Sequence, residues 1–250
     1  MKHLLLRAPL ALAPLALAAC IGPFARTAPY AYDKKGDLVE FNYAWPAEVT
    51  ANATIVRRLR ADLERSFKAA EATAVADRAA ATGMNRPFVG HRYSRRWTTA
   101  GQSPRLLSLE GRLLTYTGGA HPDHGADSLL WDRSARAELR TANLFTSKSA
   151  LDSLVRQPGC KILDAERAKR RGAAVGGGAF AACPSLDAMA LVPSDGNRNR
   201  RFDHLRLIAP NGVAGPSGEG SYDINVAITP NMLAAIKPAY RAGFEVAQPQ

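Results

Sequence analysis

Hydrophobic and polar positions alternate at residues 39–45, with Val39, Phe41, Tyr43 and Trp45 on one face and Glu40 and Asn42 on the other. A period of two predicts a half-buried strand, and Pro46 ends it. From about residue 50 to 82 the period lengthens. Ile55, Leu59, Leu63 and Phe67 recur one turn apart, with arginines and acids between them. That spacing predicts an amphipathic helix, broken at most once and closing at Gly83. Alternation returns at residues 91–99, where Tyr93 and Trp97 share a face. Residues 106–117 suit one bulged strand or two short strands bent at Gly111, and Gly118-Gly119 supplies a reversal. Strands at 128–131 and 137–141, joined by Asp132-Arg133-Ser134, complete an antiparallel meander.

The second half of the chain carries shorter signals. Residues 149–156 predict a short helix stopped by Pro158-Gly159, and residues 165–171 another turn or two. Residues 172–182 are rich in glycine and alanine; Gly176-Gly177-Gly178 lacks the lysine and hydroxyl residue of a phosphate loop. Strands are predicted at 188–192, 202–208 and 222–228. Thr229-Pro230 then opens a final short helix, with threonine as cap and proline in the first turn. This order predicts an α+β protein with antiparallel sheets packed against one long N-terminal helix and several short helices. Two closely packed subdomains are expected, residues 37–119 and 120–250.

Residues 1–19 stand apart. Lys2 and Arg7 precede an apolar run interrupted by Pro9 and Pro14, which predicts a signal peptide rather than a membrane span. It closes on Leu17-Ala18-Ala19-Cys20, a lipobox. The expectation is a diacylglycerol on Cys20, residues 20–36 as a tether, and a membrane partner reached through that lipid. Ile21, standing where an aspartate would retain the protein at the inner membrane, favours the outer membrane, facing the periplasm.

Export changes how charge and cysteines are read. The full chain carries +11, and removing residues 1–19 leaves 31 basic against 22 acidic side chains, or +9. Such a surface attracts anionic lipid headgroups or cell-wall polymers, while export takes nucleic acid off the list. With Cys20 acylated, Cys160 and Cys183 are left to pair. A disulfide closing that loop stabilises by about 3 kcal/mol in the chain-entropy account, and bounds the glycine-rich insertion.

The corner Tyr116-Thr117-Gly118-Gly119-Ala120-His121-Pro122, with Leu139 and Asn143-Leu144-Phe145 after it, resembles a bacterial cell-envelope family. The family comprises the extracellular domains of a lysozyme-sensing anti-sigma factor and the domains that precede the catalytic part of a peptidoglycan deacetylase. Phe202-Asp203-His204-Leu205, Glu219 to Ile224 and Val226 to Pro230 form a second matching block. The resemblance implies an envelope fold, residues 38–240, and supplies no catalytic residue, because the deacetylase relatives carry their metal on a separate domain. It also implies lysozyme recognition. Common lysozymes are basic, as this chain is, so like charge opposes that encounter.

Three groups of residues could carry chemistry. His121, Asp123 and His124, with Asp127 behind them, combine imidazole and carboxylate as a zinc site would, but Pro122 and the glycines make the segment a turn. No metal or other cofactor is expected, and His121 reads as a structural turn residue. Lys169, Arg170 and Arg171, together with Arg198, Arg200 and Arg201, form a candidate anion-binding set. Glu219 and Asp223 offer a carboxylate pair, set either side of a turn. Two functions follow. The first is a non-catalytic envelope lipoprotein that binds cell-wall material or an envelope protein. The alternative is a peptidoglycan-modifying hydrolase or deacetylase using His121, Asp123 and His124.

Overall fold

The structure is a computed structural model describing residues 27–173 and 176–248; the expected signal segment and Cys20 lie outside the described residues. Strand β1 (Tyr30–Lys34) pairs antiparallel with β2 (Val39–Trp45). Helix α1 (Ala47–Thr50) leads into α2 (Ala53–Gly83), which carries the chain over to β3 (His91–Gln102). Strands β4 (Leu106–Tyr116), β5 (Asp123–Asp132) and β6 (Ala137–Leu139) follow as hairpins. The six strands form one sheet in sequence order. A helical arm then runs through α3 (Lys148–Leu151), a π turn (Asp152–Arg156) and α4 (Gln157–Arg171). Strands β7 (Ala190–Ser194), β8 (His204–Ala209) and β9 (Tyr222–Ala227) make a second, antiparallel sheet. Helices α5 (Pro230–Ala235) and α6 (Pro238–Arg241) close the described chain.

Helix α2 is unbroken because nothing in its 31 residues interrupts it and its start is capped. The Asn52 side chain accepts from the backbone N–H groups of Thr54 and Ile55, satisfying two donors that a helix start leaves bare. Ile55, Leu59 and Leu63 are buried against Phe41, Tyr43 and Trp45 of β2, Trp97 of β3, and Leu109 and Leu129 of the meander. Each such side chain contributes about 1.5–3 kcal/mol of transfer free energy. On the other face of the six-stranded sheet sits the three-stranded one, with Ala190, Val192 and Ile208 against Ala100 and Ala126. Arm α4 covers the outer face of that second sheet: Leu163 packs with Leu205, Leu207 and Ile224. The layers therefore run helix, sheet, sheet, helix.

A charged lattice joins the two sheets where apolar contact ends. Glu110 is buried and accepts from both Arg112 and Arg206. Asp223 on β9 pairs with the same two arginines at 2.7 and 3.4 Å. A second lattice lies under α2. Tyr43 donates to Asp62 and accepts from Trp97 Nε1, while Arg95 bridges Asp62 and Asp127 at 3.0 Å each. Burial, reinforced by the bond to Asp62, pushes the Tyr43 hydroxyl well above its ordinary range, so it stays protonated.

Several expectations are corrected. The tether expected at 20–36 contains β1, fixed by Tyr30 stacked on Trp45 at 4.0 Å. Strands β2 and β3 are parallel, because the long crossover helix returns the chain in the same direction. Strand β4 is continuous. Gly111 serves close approach rather than a bend, since a Cβ there would lie 2.9 Å from the Trp97 ring. The irregularity falls instead in β3, between Thr99 and Gly101.

Pro158-Gly159 does not end the helical arm. The wide π turn, in which the Gln157 N–H reaches back to Asp152 O, absorbs the proline. Gly159 then lets α4 press onto β8, where a Cβ would stand 2.5 Å from Leu207 Cδ1. The division expected at 119/120 falls in the turn between β4 and β5, two paired strands of one sheet, and the change of sheet comes between β6 and β7.

Candidate functional site

The histidine corner does not converge. His121 and Asp123 are exposed. Asp123 and His124 are successive residues of β5, so their side chains leave opposite faces of the sheet. Asp127, further along β5, is drawn to Arg95 on the helix side. What the corner does have is a backbone strap: Asn211 N–H donates to His124 O at 3.1 Å, and its side-chain amide to Pro122 O at 3.4 Å. Among the described residues no three His, Cys, Asp or Glu side chains gather where a metal ion could sit.

Nor do the two carboxylates after residue 218 form a pair. Glu219 accepts two bonds from Arg171 at 2.7 and 2.9 Å and a third from the Tyr222 hydroxyl. Gly215 leaves room for it, since a Cβ there would strike its carboxylate. The Arg171 bonds hold the Glu219 carboxyl below its usual range, with Tyr222 adding to the shift. Asp223 belongs to the lattice with Arg112 and Arg206.

The six residues of the candidate anion set separate into two groups. Lys169, Arg170 and Arg171 end α4, beside Glu219 and Tyr222. Arg170 lies over the Tyr222 ring at 3.9 Å and donates to the carbonyls of Glu219 and Ser221. Arg198, Arg200 and Arg201 occupy the turn between β7 and β8, next to His204. Tyr222 pairs with Ala209 at the far end of β8 from His204. A strand of six residues places the groups about 20 Å apart.

Cys160 and Cys183 are disulfide-bonded, with Cα atoms 5.6 Å apart. The end of the insertion is further held by Arg167, whose side chain is wholly buried and donates to Ala182 O and Ala214 O.

The turn that carries Arg198 and Arg200 is braced. Asp195 accepts from the backbone N–H groups of Asn199 and Arg200, and Asn197 and Asn199 both donate to Glu245. Arg198 and Arg200 adopt left-handed backbone at φ of 61° and 70°. The brace keeps that costly conformation in place and leaves both side chains exposed. Gly101 is needed beneath it, because a Cβ would lie 2.8 Å from the Asp195 side chain and 2.9 Å from the Phe202 ring.

This seating brings the turn to the end of the first sheet. A groove of about 750 Å³ opens there between the α1–α2 junction and the turns after β3 and β5. Leu107 and Trp131 are part of its lining, with Gln102, Glu48, Arg133 and Arg136 around them. A smaller hollow of about 500 Å³ lies against Pro104, Arg200 and Arg201. Arg133 is positioned by the carbonyls of Ser103 and Leu106 and by Gln102 Oε1. Burial and the nearby Arg200 hold its guanidinium below the ordinary arginine range, with Glu48 offsetting part of that. The site is thus a field of cations short of counterions. Arg105 pairs with Asp132 and Arg201 approaches Glu245, yet Arg136, Arg198 and Arg200 meet no carboxylate at ion-pair distance among the described residues. Asp132-Arg133-Ser134 reads in sequence only as a turn; Arg133 matters because folding sets it beside Arg200 of a distant turn.

No family profile matches the chain, and no curated protein matches it. Solved structures do. A DUF3298 family protein from Pseudomonas aeruginosa PAO1 superposes with a TM-score of 0.50 at 14% identity, over 84% of this chain and 94% of that one. A DUF3298 family member from Bacteroides fragilis superposes with a TM-score of 0.50 at 13% identity, over 86% and 95%. At these identities the likeness is one of fold.

Proposed function

We propose that the protein is a non-catalytic cell-envelope lipoprotein, held to the outer membrane by a lipid on Cys20, whose folded part binds envelope material. The carrying observation is the basic groove: a cavity of about 750 Å³ lined by Arg133 and Arg136, with Arg200 close enough to depress the Arg133 guanidinium. Concave shape with a few fixed polar groups around an apolar base suits binding. The hydrolase alternative loses support where Asp123 and His124 leave opposite faces of β5. The insertion disulfide agrees with an exported protein.

Two measurements test this reading. Metabolic labelling with palmitate should mark the wild-type chain and fail for Cys20→Ser. Affinity capture from envelope extracts with the purified protein should recover the same envelope component repeatedly, and recovery should fall when Arg136 and Arg200 are replaced by glutamine. Labelled Cys20→Ser protein, or turnover of peptidoglycan fragments by the purified chain, would refute it.

A further inference from the structure

We infer that the arginine groove receives the anionic phosphodiester headgroup of a phospholipid in the same bilayer that holds the Cys20 anchor. The inference rests on the lipoprotein reading above and adds a ligand class and an orientation to it.

Position is the first ground. Thr27, where the described chain begins, is itself part of the groove wall and donates to Ala47 O. Thr27 follows Cys20 by only seven positions, 27 − 20. A chain of that length spans at most about 25 Å. The groove therefore cannot lie far from the acyl chains, whatever path the intervening residues take. The groove lies at the start of the described chain, with Thr27 in its wall.

Charge is the second ground. Two arginines line the groove against the single carboxylate of Glu48, which already accepts a bond from Thr99. Arg200 and Arg201 extend the basic surface into the adjoining hollow. Arg133 is held in place by two carbonyls and an amide oxygen, so little side-chain freedom is lost when it meets a phosphate. Arg136 on the groove and Arg200 on the smaller hollow both project, exposed, from turns. Guanidinium is the side chain best matched to phosphate oxygens.

Affinity decides what such a site can do. Basic residues near an anionic bilayer contribute about 1 kcal/mol each, so this groove is a weak binder in free solution. Anchoring changes that, because a tethered site meets its ligand at a high effective concentration. A diacylated cysteine already gives stable attachment. The groove's contribution is then to set which face of the domain lies on the membrane, leaving the β4–β5 corner and the α4 end turned away from it.

The test uses the full lipidated protein in an uncharged detergent, titrated with short-chain phosphatidylglycerol and, separately, short-chain phosphatidylcholine. Phosphatidylglycerol should bind saturably and phosphatidylcholine at least tenfold more weakly. Arg136→Gln and Arg200→Gln should each weaken binding about fivefold, without altering the melting temperature. Equal affinity for the two lipids, or binding indifferent to both substitutions, would overturn the inference. So would displacement by inorganic phosphate at matching concentration, which would mark a free-phosphate site, or preference for anionic cell-wall fragments over phosphatidylglycerol. A lipidated protein blind to phosphatidylglycerol sinks the groove and spares the anchor. An unlipidated protein that still binds it sinks the anchor, and with it the claim that groove and lipid share one bilayer.

Discussion

Two clusters of arginine on this molecule look alike in sequence and behave in opposite ways. At the end of α4, Arg171 is bidentate to Glu219, Arg170 lies on Tyr222 and bonds two carbonyls, and Arg167 is buried among carbonyl oxygens. These cations are consumed within the fold. Near the other end of the second sheet, Arg136, Arg198 and Arg200 stand on turns whose backbone is braced by Asp132 and Asp195, with no carboxylate at ion-pair distance from their side chains among the described residues. Here the polar contacts fix the backbone and leave the charge uncommitted. A run of basic residues therefore says little about available charge. What matters is whether an acid from elsewhere in the chain folds against it.

Substitutions can break that contrast. The largest effect is expected at Arg167→Ala, which removes a wholly buried side chain and leaves the buried Ala214 carbonyl unpaired, along with the bonds to Ala182 O and Asp164. It should lower unfolding free energy by about 3 kcal/mol in urea titrations. Arg171→Ala should act in the same direction but less, lowering Tm by about 2 °C, because its partner is partly screened by water.

Acidification sharpens the point. The folded Glu219 carboxyl titrates below its ordinary value, so its contribution is fully present above the unfolded glutamate value of about 4.3 and is lost as pH falls through the lower, folded one. Wild type should thus lose more stability below pH 4 than Arg171→Ala does, as read by Tm against pH. Smallest of all, Arg136→Gln with Arg200→Gln should leave Tm within about 1 °C of wild type. A large drop there would show that these charges are structural after all. His121→Ala belongs with this last group, the imidazole being exposed, against the role that its turn sequence suggests.

Strand β2, helix α2 and the Cys160–Cys183 bridge were legible because each rests on a local period or on simple pairing logic. The α+β class followed from their order. Strand β1 was not legible: Tyr30 and Tyr32 alternate for only five residues, and their meaning lies in Trp45 and Phe41 across the ladder. Pro158-Gly159 misled for a physical reason, since a π turn admits the proline and the glycine is spent on contact with Leu207. The groove was invisible because Glu48, Gln102, Trp131 and Arg136 meet only in three dimensions. Of the cations in and near it, Arg200 belongs to the candidate anion set, whereas Arg133 reads merely as part of a turn and Arg136 carries no sequence signal.

Strand β1 also has a mechanical meaning. It is an edge strand, bound to the sheet along one side through five residue pairs with β2. Tension on the chain ahead of residue 27 enters the fold there, at the Tyr30–Trp45 stack. An antiparallel strand pulled from its end opens one pair after another rather than shearing all at once. Peeling β1 would lengthen the leash while β2, α2 and the meander stay packed, so the first yield under load is local and the body of the protein is spared.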